Sequence, residues 1–287
     1  MARMSKAAEL RELLTRPAVS RIVGARDPLT ARMVEEAGFD GVWVSSFELS
    51  ATRALPDLGL LTMTECLDAA ALIDGATVLP SLVDCDTGFG AAINLVRVVR
   101  LCEAAGIAGI CVEDKVFPKR NSYLDGGQVL EDPDVFAQRV EAAVRSRRDP
   151  DFTVVARCEA LIAGAGMDEA LRRAHHYVDA GADAVLVHSK RREPDEIVEF
   201  LRRWCRRAPV VVVPTTYYRW SLAEAQDAGV SLVIYANQAL RACVLAVRTV
   251  LSEIHLRGDA ATAEDSIAPV KEVFALTRTA EWEEWGA

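Results

Sequence analysis

The stretch Glu36-Ala37-Gly38-Phe39-Asp40-Gly41 is the first of four similar segments in this 287-residue chain. The other three occupy residues 104–109, 179–184 and 227–231. Each follows a helix-length segment, places a glycine where a helix needs a left-handed residue in order to end, and leads into a short apolar run. Four such helix-to-strand corners predict a repeated unit of strand and helix.

The apolar runs predict eight strands, at residues 20–23, 41–45, 78–83, 109–112, 153–156, 184–187, 210–213 and 232–235. Most are continuously apolar, as is typical of parallel strands that are buried on both faces. Helix-length segments alternate with them, at residues 29–37, 92–105, 133–147, 167–180, 194–204, 221–228 and 238–254. This alternation is typical of a closed barrel or of a doubly wound sheet. The repeated corners favour a (β/α)8 TIM-type barrel, and no glycine-rich phosphate loop supports the dinucleotide-binding alternative.

The length of the chain predicts one domain, residues 1–287, because an α/β barrel takes roughly 250 residues. Two domains would also fit this length, but no linker-like segment divides the sequence. We interpret residues 258–287 as a C-terminal helical extension. It comprises one amphipathic helix at residues 263–278 and the acidic tail Trp282-Glu283-Glu284-Trp285. We expect this extension to serve packing or subunit contacts.

Composition narrows the possible function classes. Hydrophobic residues make up 51% of the chain, enough for a sizeable core, and the net charge is −9. This charge argues against a general binder of nucleic acid or of anionic membranes, because both need a cationic face. The seven cysteines are scattered without CxxC spacing, which is typical of reduced thiols in a cytoplasmic protein. No stretch approaches the ~20 apolar residues of a membrane span, so we expect a soluble, cytoplasmic protein.

Polar residues follow the predicted strands at their carboxyl ends, where α/β barrels place their chemistry. The runs end in Ser45-Ser46, Asp84-Cys85-Asp86, Glu113-Asp114-Lys115, Arg157-Cys158-Glu159, His188-Ser189-Lys190 and Pro214-Thr215-Thr216. We therefore expect the functional site at this end of the barrel.

Asp84 and Asp86 are candidate metal ligands. Two carboxylates two residues apart at a strand end point to one side of the strand, so both can address one hard cation. A solvated acidic turn explains the pair equally well when it is taken alone. Glu113, at the next strand end, favours the metal site, and Mg²⁺ suits it because this ion needs few carboxylates and keeps several waters.

Three further features each have a functional and a structural interpretation. The lysine-bearing loop at residues 113–122 suits a lid that closes over an anion, or a charged surface loop. Arg157 suits a carboxylate or phosphonate ligand through its planar fork, or an ion pair with Glu159. His188 suits a ligand contact or a hydrogen-bonded structural role.

The run Glu113-Asp114-Lys115-Val116-Phe117-Pro118-Lys119-Arg120-Asn121-Ser122 resembles the EDKxxPKxNS signature of the phosphoenolpyruvate mutase family, within the isocitrate lyase superfamily. The resemblance covers nearly the whole chain. It implies a magnesium-dependent isomerase that acts on a small, anionic, pyruvate-like substrate and interconverts phosphoenolpyruvate and phosphonopyruvate, the entry step of phosphonate biosynthesis. It also implies homotetramers, or dimers of dimers, that exchange the last barrel helix.

The resemblance further implies a role for each matching residue. Asp86 would be the main magnesium ligand, while Asp84 and Glu113 would hold metal-bound waters. Ser45, together with the backbone amides of Ser45 and Ser46, would receive the pyruvyl carboxylate, although family mutases often have glycine where Ser46 stands. The implied substrate-binding residues are Trp43, Ser45, Ser46, Asn121, Arg157 and His188.

The implied catalytic residues contact the transferring phosphoryl group or support the closed site. Arg157 and His188 would contact that group from the strand ends, and Asn121 would hold it from the lid. Asp57 and Lys119 would stabilise the closed conformation. None of these residues would itself be phosphorylated, since a loose, metaphosphate-like group needs positioning and positive charge more than a nucleophile.

Related activities differ at the lid. The carbon–carbon lyases of the superfamily resemble K[KR]CGH there, with cysteine as the acid, whereas this chain reads Lys119-Arg120-Asn121-Ser122-Tyr123. Phosphonopyruvate hydrolase shares EDKxFPK and a segment similar to Phe47-Glu48-Leu49-Ser50-Ala51, but typically has threonine where Asn121 stands. Asn121 therefore favours the mutase. Carboxyphosphonoenolpyruvate synthase and a catalytically silent binding barrel remain as alternatives.

Overall fold

Eight parallel strands close into a barrel in the computed structural model, which describes residues 4–286. They are β1 (Ser20–Gly24), β2 (Gly41–Val44), β3 (Ser81–Asp84), β4 (Gly109–Glu113), β5 (Thr153–Cys158), β6 (Ala184–Val187), β7 (Val210–Val212) and β8 (Leu232–Tyr235). Each strand pairs with its successor, and β8 pairs with β1, so the sheet closes on itself. This is the predicted (β/α)8 TIM-type fold.

Helices separate the strands and cover the outside of the barrel. In the described part of the chain they are α1 (Lys6–Thr15), α2 (Pro28–Glu36), α3 (Ser46–Thr52), α4 (Met63–Gly75), α5 (Ala92–Ala104), α6 (Pro133–Ser146), α7 (Met167–Asp179), α8 (Asp195–Trp204), α9 (Leu222–Ala228), α10 (Gln238–Arg257), α11 (Ala261–Glu264), α12 (Val270–Leu276) and α13 (Thr279–Gly286). The seven predicted barrel helices are present with ends shifted by three residues at most. The sequence-based prediction did not include α1, α3 or α4.

The four helix-to-strand corners contain glycines with positive φ, as their sequence predicts. The φ angle is 74° at Gly38, 80° at Gly106, 100° at Gly181 and 98° at Gly229. A side chain with a Cβ atom is strained in this left-handed region, whereas glycine enters it freely. Each glycine therefore ends a helix and turns the chain into the next strand.

The amino-terminal end of the barrel is closed by α1. Leu10 and Leu14 of this helix are buried and belong to the same apolar cluster as inward-facing strand residues such as Ile22 and Leu82. Leu10 lies so close to β4 that a Cβ added at Gly109 would stand 3.0 Å from it. Because apolar side chains fill this end, the carboxyl ends of the strands are left to form the open mouth.

The C-terminal extension is helical, but the single helix predicted at residues 263–278 is wrong. The structure has three short helices there, α11, α12 and α13. The break falls at Pro269, which lacks the backbone N–H that a continuing helix would need, and α12 begins directly after it. The tail residues Trp282 and Trp285 lie on α13 and are exposed.

The last barrel helix, α10, packs little against the described part of its own chain. Of residues 238–257, all of which the structure describes, Leu240 alone is buried. Leu245, Leu251 and Leu256 are exposed by 61% or more. A row of exposed apolar side chains on one helix is typical of a surface that contacts another protein.

The described residues also bear on membrane association and thiol chemistry. Within residues 4–286, no helix has the combination of length and apolar character that crossing a lipid bilayer requires. The seven cysteines are all free, and five of them are buried. Free thiols are what their scattered spacing predicts.

Candidate active site

A cavity of about 620 Å³ opens at the carboxyl ends of the strands. Its walls bring together residues from β2 through β8 and from the loop after β4, hereafter the lid (residues 114–130). The predicted site residues that line it are Trp43, Ser45, Asp57, Asp84, Glu113, Lys119, Asn121, Arg157 and His188. Ser46 and Asp86 contact residues that line the cavity, through the hydrogen bonds and ion pairs described below. The structure therefore places every predicted site residue at one end of the barrel.

The end of β2 supplies a hydroxyl and the start of a helix. Ser45 caps α3, where its Oγ accepts a hydrogen bond from the amide of Glu48 at 3.4 Å. Ser46 is 1% exposed, and its Oγ donates to Asp84 Oδ2 at 2.9 Å. Trp43 is buried within the barrel and forms part of the cavity floor. The start of α3 therefore lies beside the carboxylate at the end of β3.

The carboxylates of β3 and β4 are buried beside one another. Asp84, Asp86 and Glu113 are exposed by 5%, 7% and 2%. Asp86 adopts a left-handed φ of 48°, and its amide donates to Asp84 Oδ1 at 3.3 Å. Burial, reinforced by the charge of Asp86, raises the pKa of Asp84. Burial also raises the pKa of Glu113, to about 7.

Two lid residues, Lys119 and Asn121, contact carboxylates at the mouth of the barrel. Lys119 Nζ lies 2.6 Å from Asp57 Oδ1 and 3.0 Å from Asp86 Oδ1. Burial disfavours the charged ammonium, but Asp86 and Asp57 outweigh it and raise the pKa of Lys119. Asn121 Nδ2 donates to Asp57 Oδ2 at 2.6 Å. Lys119 is 5% exposed, so the lid is closed over the cavity.

Arg157, Glu159 and His188 form a cluster directly beside these carboxylates, at the ends of β5 and β6. Arg157 Nε donates to Glu159 Oε1 at 2.5 Å and lies 3.3 Å from Glu113 Oε2. His188 Nδ1 is 2.9 Å from both Glu159 Oε1 and Arg157 Nη2. Burial acts to raise the pKa of Glu159, but Arg157, His188 and Lys115 hold it well below its usual range. The ion pair expected as the structural role of Arg157 is therefore present.

This ion pair does not use the whole guanidinium group. Arg157 Nη2 donates to Ser122 Oγ at 3.2 Å and contacts His188, while Nη1 forms no hydrogen bond with any residue in the range 4–286. The Arg157 side chain also lines the cavity. Nε of the guanidinium is thus bound by Glu159, and Nη1 is available to an anion in the cavity.

Two residues that sequence reasoning gave no role, Lys115 and Ser122, complete this cluster. Lys115 Nζ lies 2.9 Å from Glu159 Oε2 and donates to Ser122 Oγ at 2.7 Å. Ser122 Oγ in turn donates to Glu159 Oε2 at 2.6 Å. Both belong to the signature run, so the motif drew attention to them. Their shared contact with Glu159 could be seen only in the fold, because Glu159 follows the neighbouring strand, β5.

The residues of the carboxylate wall fit a hard divalent cation. Asp86 Oδ1 and Glu113 Oε1 are buried oxygen atoms without a hydrogen-bond partner among the described residues, although Lys119 forms an ion pair with the former at 3.0 Å and Lys115 lies 3.9 Å from the latter. Among the described residues, no three His, Cys, Asp or Glu side chains lie close enough together to ligate one ion directly. Magnesium does not need such a cluster, because it commonly binds through one or two carboxylates and retains several waters.

The fold and this site define a class, an α/β barrel whose mouth holds carboxylates beside a buried guanidinium under a closed lid. Comparisons with known proteins indicate which family of such barrels the chain belongs to. Residues 10–255 match the family model described as phosphoenolpyruvate phosphomutase. The crystal structure of phosphoenolpyruvate phosphomutase from Streptomyces platensis subsp. rosaceus is 50% identical, with a TM-score of 0.95 and coverage of 97% of both chains.

Hydrolase relatives are similar to the chain as well. Phosphonopyruvate hydrolase from Variovorax sp. (strain Pal2) is 43% identical over 95% of both chains. A crystal structure of phosphonopyruvate hydrolase in complex with oxalate and Mg²⁺ is 40% identical, with a TM-score of 0.93 and coverage of 98% of both chains. The chain belongs to the phosphoenolpyruvate phosphomutase family, within the phosphoenolpyruvate mutase/isocitrate lyase superfamily of enzymes. Sequence identity alone does not separate mutase from hydrolase, because both kinds of relative are comparably similar.

Proposed function

We propose that this protein is a phosphoenolpyruvate mutase, an isomerase that interconverts phosphoenolpyruvate and phosphonopyruvate. The observation that carries the proposal is the contact of the lid with the barrel mouth. Asn121 donates to Asp57 at 2.6 Å, and Lys119 is buried between Asp57 and Asp86. A mutase must return the phosphoryl group to its own substrate. The site therefore has to keep water out while that group is detached.

The carboxylate wall is the proposed magnesium site. Asp86 would bind the ion, and Asp84 and Glu113 would hold its waters, in keeping with their buried, partly unpaired oxygens. Bound Mg²⁺ supplies a Lewis acid that stabilises negative charge on the enolate oxygen of pyruvate. The complex of phosphonopyruvate hydrolase with oxalate and Mg²⁺ supports this choice of ion.

The substrate would lie in the cavity. The backbone amides at Ser45 and Ser46 would bind the pyruvyl carboxylate above Trp43. At the ends of β5 and β6, Arg157 through its free nitrogen and His188 would hold the phosphoryl oxygens, and Asn121 would hold them from the lid. These groups provide fixed donors and positive charge at the transferring group, which is what a loose transition state requires.

The thiols of the chain are poor candidates for an acid or a nucleophile. Burial raises the pKa of both Cys111 and Cys158 well above the usual range. Neither stands at the lid position where the lyases of the superfamily carry their cysteine, since Asn121 occupies it. A carbon–carbon lyase activity is therefore disfavoured.

Phosphonopyruvate hydrolase is the second candidate function, and Phe47-Glu48-Leu49-Ser50-Ala51 is the feature that favours it. Incubation of phosphonopyruvate with the protein and Mg²⁺, followed by ³¹P NMR, distinguishes the possibilities. We expect the phosphoenolpyruvate signal to appear. Inorganic phosphate with pyruvate would instead indicate the hydrolase. No reaction, with tight binding of phosphonopyruvate, would indicate a silent barrel.

We also propose a homotetramer, or dimer of dimers, in which neighbouring subunits exchange α10. The exposed apolar side chains of α10 and its single buried residue, Leu240, support this assembly. A cytoplasmic location is part of the proposal and is supported by the seven free cysteines. Sedimentation at micromolar concentration tests the assembly, and a monomer would contradict it.

A further inference from the structure

Tyr123 directly follows the signature run and lines the cavity, and the proposed function gives it no role. Its ring packs edge-on against the imidazole of His188, with the ring centroids 5.8 Å apart and an interplanar angle of 81°. Its hydroxyl lies 3.4 Å from His188 Nε2, and the side chain of Thr215, after β7, is within hydrogen-bonding reach. Tyr123 thus joins the lid to two strand ends.

The lid side chains that line the cavity contact the barrel on three sides. Lys119 forms ion pairs on the β3 side, where Asp86 lies, and Ser122 donates to Glu159 at the end of β5. Tyr123 makes the third contact, on the β6 and β7 side. It is also the last polar lid side chain that lines the cavity, and 40% of its surface remains exposed. Without its hydroxyl, the Tyr123 side chain would keep only the ring contact with His188.

The chemistry of the two rings suits a lasting contact. Burial raises the pKa of the Tyr123 phenol, so it stays a neutral hydroxyl that can both donate and accept. His188 Nδ1 is occupied by Glu159 and Arg157, each at 2.9 Å, which leaves Nε2 as the nitrogen that faces Tyr123 and the cavity. The hydroxyl can therefore complement Nε2 whether or not that nitrogen carries a proton.

We propose that Tyr123 is a positioning residue that holds the lid closed on the His188 side and so keeps water from the phosphorus during phosphoryl transfer. This inference rests on the proposed mutase function. In the side reaction it suppresses, a water oxygen bonds to phosphorus and the carbon–phosphorus bond breaks, leaving its electron pair on the pyruvate enolate. The enolate then takes up a proton at its methylene carbon. The products are phosphate and pyruvate.

Tyr123→Phe tests the hydroxyl while keeping the ring. With phosphonopyruvate and Mg²⁺, ³¹P NMR should record about three to ten times more phosphate per phosphoenolpyruvate formed than the parent protein gives. That factor corresponds to roughly 0.7–1.4 kcal/mol, the range of one hydrogen bond. We expect kcat for isomerisation to fall while KM changes little. Tyr218→Phe is the matched control, because Tyr218 is 68% exposed and does not line the cavity, and its product ratio should equal that of the parent.

Limited proteolysis measures the lid without relying on activity. Arg120 is an exposed trypsin site within the lid, and cleavage after it should be about three to ten times faster in Tyr123→Phe than in the parent or in Tyr218→Phe. An unchanged product ratio or an unchanged cleavage rate would each overturn the proposal. If the parent forms no phosphoenolpyruvate, the mutase function fails, while the cleavage rates still decide whether Tyr123 holds the lid.

Discussion

Two glutamates at neighbouring strand ends, Glu113 of β4 and Glu159 after β5, are almost equally buried and yet differ in their electrostatics. Their exposed fractions are 2% and 0%. Burial raises the pKa of Glu113 to about 7. At Glu159 the same effect is outweighed by Arg157, His188 and Lys115, and the pKa lies well below its usual range.

Distance explains the contrast. Glu159 has Arg157 Nε at 2.5 Å and Lys115 Nζ at 2.9 Å, whereas the same two cations lie 3.3 Å and 3.9 Å from Glu113. One Glu113 oxygen has no hydrogen-bond partner within residues 4–286. The end of β5 is thus electrostatically satisfied by the protein. The end of β4 retains negative charge that a bound cation would compensate.

The largest expected effect comes from removing Asp86, the main proposed magnesium ligand. Asp86→Ala should lower the rate of isomerisation about a thousandfold or more, since metal charge stabilisation is worth several kcal/mol. Excess Mg²⁺ should not restore the rate. Asp68→Ala, at an exposed position of α4, is the control and should keep the parent rate. Near-normal activity of Asp86→Ala would remove the metal assignment.

Neutralising each glutamate in turn tests the contrast directly. Glu159→Gln should lower the free energy of unfolding by roughly 3–5 kcal/mol, because it leaves buried cations without their partner. Glu113→Gln should lower the free energy of unfolding far less. The Glu113 carboxylate is poorly paired, and its burial disfavours the charged form that the substitution removes. Urea unfolding at pH 8 with a chelator present measures both. Equal losses in the two variants would contradict the comparison.

Asn121→Ala extends the comparison to the lid. The side-chain amide of Asn121 donates a hydrogen bond to Asp57 and to neither glutamate. Losing a hydrogen bond to a charged group costs about 1.5–3 kcal/mol, so isomerisation should slow by roughly tenfold to a hundredfold. The thermal unfolding midpoint should stay close to that of the parent. An unchanged rate would mean that Asn121 does not act on the transferring group.

Glu48 is a third buried glutamate and the least well paired. Neither of its oxygens forms a well-aligned hydrogen bond with a described residue, and burial raises its pKa to about 7, partly offset by the backbone of Leu240 and by Arg26. Between pH 4.5 and 7 the folded protein therefore retains a proton that the unfolded chain has released. Stability contributed by the protonated form is lost as the pH rises through this range.

Glu48→Gln should consequently be more stable than the parent at pH 8, by about 1–3 kcal/mol, and the difference should vanish towards pH 4.5. Urea unfolding midpoints at both pH values measure this. Glu12→Gln, at an exposed position of α1, should show no such dependence. A difference that is constant with pH would show that Glu48 does not titrate between 4.5 and 7.

Local sequence signals were sufficient for most of the barrel. Continuous apolar runs marked the strands, and glycines such as Gly38 and Gly181 marked the corners, because these signals act within a few residues. The predicted start of β3 at residue 78 was three residues early. Pro80 has no backbone N–H to donate, and the strand begins directly after it, at Ser81. The short α3 lies between two strands where no strong periodic pattern predicts a helix.

The candidate site likewise has one part that the sequence predicted and another that only the structure showed. Asp84, Asp86, Glu113, Arg157 and His188 could be found from the sequence because each follows an apolar run, and parallel strands place such residues at one end of a barrel. How they pair could not be predicted. The contacts of the Tyr123 hydroxyl with His188 and Thr215 join residues 65 or more positions apart, and such contacts depend on how the lid folds back over the mouth.

The sequence by itself determined the repeated unit, the end of the barrel that carries polar residues, and the family, since all three are written in short-range patterns. Only the tertiary structure decided which buried carboxylates are paired closely with cationic side chains and which are paired poorly. The physical reason is that burial shifts every carboxylate in the same direction, and the outcome depends on differences of about 1 Å in the distance to cations from other strands.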